Sequence, residues 1–218
     1  MSDFQATTQA AFAKAEIERK VIFRELDTEQ LYSENKLSAI LQLGRTPVRE
    51  ALQALEQEDM LKVHARKGVE FLEISAAQQL QLLEIRKEIE PTCIKYAILR
   101  GSSEHRVHML QLAQNILESA QGDEDASLLE ALRGIHFAIT NASGNPYFHH
   151  ALARVQSQSR RFWFANKTRD DTMVCSQFHA DIMRSVAIGN EVAAKEQLLK
   201  LHEYLAGSAL KVIKLSAN

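Results

Sequence analysis

The chain has 218 residues, 45% of them hydrophobic, and a formal net charge of −2. That length suits two modest domains with a core each, and a balance this close to neutral excludes indiscriminate binding of nucleic acid through overall charge. The sequence has no apolar run long enough to span a bilayer and no secretory leader pattern, so a cytoplasmic protein without membrane attachment is expected.

In chain order, residues 1–9 read as a short disordered tail. Ala10 to Phe23 then places Ala13, Ile17, Val21 and Phe23 at helical spacing, enough for a first helix. Glu34 to Leu43 reads as a second short helix, with Leu37, Ile40, Leu41 and Leu43 as its buried positions. Gln42-Leu43-Gly44 makes the tight turn expected of a helix-turn-helix. A third helix follows over Arg45 to Leu55. Thr46 is expected to cap it, and Pro47 suits its first turn, where an N–H would have no intrahelical partner. Val48, Ala51, Leu52 and Leu55 give that helix one apolar face. Arg45 and Arg49 project from its start, where a recognition helix meets base edges and phosphates. A solvated helix carrying two arginines is the plainer reading of those residues taken alone.

Met60 to Val63 and Val69 to Leu72 favour strands. They flank His64-Ala65-Arg66-Lys67-Gly68, a loop with two cations and a glycine. Three helices and a basic-tipped hairpin make a winged helix-turn-helix over residues 10–74. Acidic residues slightly outnumber basic ones there, so DNA affinity has to come from Arg45, Arg49, Arg66 and Lys67, with two copies engaging one duplex.

Leu37-Ser38-x-x-Leu41-x-Leu43-Gly44-Arg45-Thr46-Pro47-Val48-Arg49-Glu50-Ala51-Leu52, followed by Leu55-Glu56 and Gly68, resembles the DNA-binding domain of the GntR family of bacterial transcription regulators. The resemblance implies that Arg45, Thr46 and Arg49 touch DNA and that Gly68 lets the wing approach the backbone. The chain departs from the family pattern at Gln42, usually glycine, and at Gly44, usually serine. Some relatives also carry arginine where this chain has Asn35.

The second domain is expected over residues 75–218. Ser75 with Gln78 forms a capping-box pattern, and the hydrophobic period changes from strand to helix near Ile74. About six helices follow. The first runs to Arg100-Gly101 and contains Pro91, which should bend or restart it. Ser103 to Ala120 is the second, and a capping box at Ser127 and Glu130 opens the third, which ends at Ser143-Gly144. Asn145-Pro146 starts the fourth, running to about Lys167. The fifth covers roughly Asp171 to Ile188, and Asn190 caps the last, which reaches about Leu215. Short loops imply antiparallel neighbours in a bundle. Cys93 and Cys175 sit within helical patterns without Cys-x-x-Cys spacing and are expected as buried free thiols.

His136, His179 and His202 lie mid-helix beside apolar residues. Imidazoles from separate helices can assemble a transition-metal site inside a bundle, and each can equally be an ordinary hydrogen-bonded core residue. Residues 75 to 215 resemble the all-helical effector domain, called FCD, of the FadR branch of the GntR family. The matching stretches are Ile135-His136-x-x-Ile139-x-x-Ala142-Ser143-Gly144-Asn145, Phe178-His179 and Leu201-His202. The resemblance implies a Zn²⁺ or Ni²⁺ ion on the three histidines, with an aspartate four residues before the first. That position is Leu132 here, so the set lacks its anionic ligand. By the same resemblance Arg86 lines an effector cavity, where a guanidinium suits capture of a carboxylate. Its other reading is a helix-surface pair with Glu90 at i,i+4. Arg160-Arg161 before Phe162-Trp163-Phe164 either reaches that cavity or ends an amphipathic helix.

The expected fold is mainly α, an N-terminal winged helix-turn-helix followed by an all-helical bundle effector domain. The expected function is a ligand-responsive regulator of transcription, a repressor. It would read an inverted-repeat operator in double-stranded DNA as a homodimer and sense a small carboxylate metabolite. The alternative is a helical-bundle metalloenzyme on the three histidines, weakened by the lack of a general base beside them.

Overall fold

The computed structural model describes the backbone of residues 2–122 and 124–216, and side chains from residue 9 onward. Of the expected disordered tail over residues 1–9, Met1 lies outside the described residues, while residues 2–9 have helical backbone continuous with the first helix. The chain forms two compact units. One comprises Met1–Ile74 with Arg160–Ala165, the other Ser75–Ser159 with Asn166–Asn218.

The first unit opens with α1 (Ser2–Ile22), which buries Ala13, Ile17 and Val21 as a stripe at four-residue spacing. Phe23 lies beyond its end and is only half-buried, meeting the Phe164 ring edge-on at 5.9 Å. α2 (Glu34–Leu41) is capped by Ser33, whose hydroxyl accepts from the Lys36 N–H at 3.2 Å. Leu37 is its fully buried residue. Ile40, expected inside, is 38% exposed, because an eight-residue helix shows the core less than half its circumference. α3 (Arg45–Gln57) buries Val48, Ala51, Leu52 and Leu55. β1 (Leu61–His64) and β2 (Gly68–Phe71) then pair antiparallel, with Leu61 opposite Phe71 and His64 opposite Gly68. Tyr32 adds an isolated bridge to Val69, so the wing is stitched to the segment entering α2. One apolar core joins α1, α2, α3 and both strands, from Ala13 and Ile17 to Val69 and Phe71.

The second unit is all helical: α4 (Ala76–Arg100), α5 (Ser103–Gln121), α6 (Asp125–Ala142), α7 (Pro146–Asn166), α8 (Arg169–Ala187) and α9 (Glu191–Ser216). The last turns of α7 belong to the first unit. Within the second, α5 packs on α6 and α8, α9 on α4 and α8, and α4 on α6. The Ser75 capping box opens α4 as expected, and α4 runs through Pro91 as one 25-residue helix rather than restarting there. Thr168 and Asp171 box the start of α8, and Asn190 caps α9 by accepting from the Ala193 N–H. The box expected at Ser127 is not used. α6 begins one turn earlier, at Asp125, with Glu124 as N-cap and no side-chain cap bond. Among the described residues no helix is long and apolar enough to cross a membrane.

Candidate functional site

Two sites emerge, one in each unit. In the first, Arg45, Thr46 and Arg49 are all exposed at the N-terminal end of α3. Thr46 does not cap the helix. Gly44 is the N-cap and supplies no side-chain bond, which leaves the first N–H groups of α3 without side-chain acceptors at the positive end of its dipole. Such an end is suited to a phosphate. Pro47 falls at the third helical position, still within the turn whose N–H groups lack partners, and packs inward beside Val48.

Arg49 is not idle. Its Nε and NH2 groups donate to the Glu34 carboxylate at 2.9–3.2 Å, tying the start of α2 to the start of α3. That pair keeps the Glu34 carboxyl below its ordinary range and raises the Arg49 guanidinium. This contact joins residues fifteen apart and has no local signature in the sequence. Arg66 and Lys67 are exposed at the turn between β1 and β2, with Arg66 itself left-handed at φ 63°. Gly68 has a structural reason for being glycine. Its φ is +119°, and a β-carbon would lie 2.6 Å from the Tyr32 carbonyl oxygen.

Arg160 and Arg161 do not line the cavity, and both side chains are largely buried. Arg160 pairs with Glu18 at 2.9 Å, and Arg161 donates to the Met60 carbonyl at 3.1 Å, both within the first unit. Burial pulls the Arg161 guanidinium down to about 10.

The second site is a narrow cavity in the helical unit, within a region of about 390 Å³ of non-atom space that includes open solvent. Its walls are mostly apolar, including Ile94, Ile135, Ile139, Leu152 and Leu198, with Cys93 among them. Arg86, Glu90, Gln156, His136 and His179 also line it. Arg86 does pair with Glu90, but the pair is buried rather than on a helix surface, with the two side chains 4% and 7% exposed. Arg86 Nε donates to Glu90 Oε1 at 2.9 Å, and its NH1 donates to Ser159 Oγ at 2.8 Å. Glu90 also accepts from Gln156 Nε2 and His202 Nε2, each at 2.8 Å. The neighbouring Arg86 and His202 hold this carboxyl well below its usual range, against the desolvation that opposes ionisation. The guanidinium offered by the sequence for a ligand carboxylate is thus charge-compensated by an internal one.

The three histidines do not meet as the expected metal set. His136 and His179 approach edge-on, with ring centroids 6.0 Å apart. His202 turns its Nε2 to Glu90, and since a carboxylate accepts, that nitrogen carries the proton and has no lone pair for a metal. Leu132, at the family aspartate position, is buried among apolar residues. Among the described residues no group of three or more His, Cys, Asp or Glu is arranged to hold a metal ion. The residues present do not fit the ion. His179 Nδ1 sits 2.7 Å from the Cys175 carbonyl, which can only accept, so Nδ1 is protonated and Nε2 is left as an acceptor. Burial pushes His179 down to about 4 and keeps it neutral.

Glu90, Gln156 and Ser159 were outside the candidate set. Glu90 could have been found, since Leu83, Arg86, Glu90, Cys93 and Ala97 form one buried stripe of α4 and two members are charged. Gln156 and Ser159 carried no such signal.

Residues 9–71 match the family profile described as bacterial regulatory proteins, gntR family, and residues 81–203 match the FCD domain. The chain is 27% identical over 195 residues to the HTH-type transcriptional regulator LutR of Bacillus subtilis, covering 78% of this chain and 87% of that protein. It is 24% identical over 175 residues to the HTH-type regulator YdhC of the same organism, covering 77% and 75%. The solved structure of Escherichia coli McbR/YncC superposes with a TM-score of 0.75 at 13% identity, covering 96% of this chain and 99% of that one.

Proposed function

This chain belongs to the GntR family of bacterial regulatory proteins and carries an FCD domain, and we propose that it represses transcription as a homodimer whose grip on an inverted-repeat operator is loosened by a small molecule in the helical unit. That it is a transcription regulator rather than an enzyme follows from its family. The observation that carries the DNA reading is the start of α3. Arg45, Thr46 and Arg49 are exposed together there, and the first N–H groups of the helix have no side-chain cap. Arg66 and Lys67, exposed on a hairpin tip, are the wing contacts of the same reading.

Two copies are part of the proposal because one unit has too little positive charge. Acidic residues outnumber basic ones over residues 1–74, so useful affinity rests on doubling a small cationic cluster. A two-fold dimer then reads a dyad in the DNA. The cavity beside Arg86 and Glu90 is the effector site. Its occupant shifts DNA affinity only by binding the operator-competent and released arrangements unequally. No metal takes part, so chelator leaves both operator binding and effector response unchanged.

The test is binding of full-length protein to an operator selected from random duplex DNA. Arg49→Ala is expected to weaken it by at least about tenfold, the loss of one major-groove or phosphate contact per half-site. Binding equal to the parent's would remove α3 as the reading element.

A further inference from the structure

The polar groups around the cavity divide unequally. Glu90 accepts from Arg86, Gln156 and His202, so its two oxygens are spent. Arg86 gives its side-on edge to Glu90 and a further N–H to Ser159, which also accepts from Gln79 Nε2 at 3.0 Å. Thr140 Oγ1, on the wall, donates back to the carbonyls of its own helix. His179 differs. It is 8% exposed and lines the cavity, its Nδ1–H is taken by the Cys175 carbonyl, and among the described residues its Nε2 accepts no hydrogen bond.

A ligand entering this space meets apolar carbon and the open Nε2 acceptor of His179. A carboxylate would bring a second negative charge to a guanidinium already neutralised by Glu90, and would lose its hydration without gaining a counter-charge. A neutral hydroxyl or N–H meets the opposite situation. It finds a neutral imidazole nitrogen with a free lone pair, held in one tautomer by the backbone. The remaining body of the ligand is covered by Ile94, Ile135, Ile139, Leu152 and Leu198.

We infer that the effector of this regulator is an uncharged, largely apolar molecule that donates a hydrogen bond to His179 Nε2, and that Glu90 acts as a resident carboxylate excluding acidic ligands from Arg86. This rests on the cavity being the effector site, and it narrows what enters. Removing the Glu90 charge while keeping its shape leaves Arg86 uncompensated and opens the same cavity to acids.

Phenol, benzoate and toluene are probes of one size that differ in the group presented. Their affinities are measured by calorimetry or ligand-observed resonance on the full chain, in chelator, beside operator binding by the same preparations. The parent is expected to bind phenol about tenfold tighter than toluene or benzoate. His179→Leu should abolish the phenol preference while toluene still binds. Glu90→Gln should bind benzoate at least about tenfold tighter than the parent does, a gain that misfolding cannot imitate. Benzoate preferred by the parent, no phenol preference over toluene, no benzoate gain in Glu90→Gln, or phenol binding that requires added Zn²⁺ would each overturn the inference. Intact operator binding alongside any of those results leaves the regulator reading standing, whereas lost operator binding by the parent strikes the reading itself.

Discussion

At Gly68 the backbone turns out of the wing tip at φ +119°, and the space a side chain would need is filled by the Tyr32 carbonyl, 2.6 Å from an added β-carbon. That carbonyl accepts from the Val69 N–H at 2.8 Å, so it cannot retreat without breaking the bridge that ties the wing to the entry of α2. Gly68→Ala is expected to destabilise the protein by roughly 2 kcal/mol or more, read by urea denaturation. A neutral result would mean that the tip relaxes freely. Gln42 presents the converse. It ends α2 in the left-handed region at φ 55°, with an exposed side chain. Gln42→Gly should stabilise by up to about 1 kcal/mol in the same assay. Cys93 is a third residue whose surroundings decide its chemistry. Burial pushes its thiol up to about 12, and Cys175 is buried as well. Neither is expected to react with a disulfide reagent at pH 8 until the protein is unfolded. Modification of the native chain would show that the cavity wall opens readily.

At the scale of elements, α2 governs how α3 presents its arginine. The Glu34 carboxylate at the start of α2 shares the Arg49 guanidinium that DNA would contact. Glu34→Gln removes a negative charge from beside the proposed phosphate path and frees Arg49, so operator affinity should rise, most at low salt. A fall would mean that Glu34 positions Arg49 for reading. α4 sets a different balance. Arg86→Ala strands the buried Glu90 charge and is expected to cost about 3–5 kcal/mol, whereas replacing both partners by Met and Leu should cost far less. Thermal unfolding of the two variants decides it.

The helices themselves were legible because their ends carry local chemistry: Ser75 with Gln78, Asn145-Pro146, and Asn190 after Gly189. Ser127 with Glu130 misled because that spacing occurs on any exposed helical turn, and α6 had already begun at Asp125. The third helix and the hairpin were legible for the same local reason. The inner site was less so. His202 lies 112 residues from Glu90, and no pattern within α4 announces which polar atoms α7 and α9 bring to it. Leu132 did mark in advance that the family's metal set was incomplete.

For the whole molecule the decisive quantity is how many phosphates the cationic cluster neutralises, because overall charge is −2 and contributes no attraction. Each phosphate contact by Lys or Arg releases counterions and steepens the fall of log K with log salt by about 0.9. Two wings in a dimer bring Arg66 and Lys67 twice. An Arg66→Ala, Lys67→Ala double variant should therefore flatten the slope by about 3.6 if two copies grip one operator, and by about 1.8 if a single chain binds. Sequence preference should survive this loss, since phosphate contacts position the protein while the base contacts proposed for α3 would specify the site. Titrations of parent and double variant on selected and scrambled duplexes between low and moderate salt give both quantities at once. A change near the smaller value would break the homodimeric reading and leave the α3 reading intact. An unchanged slope would take the wing out of the interface.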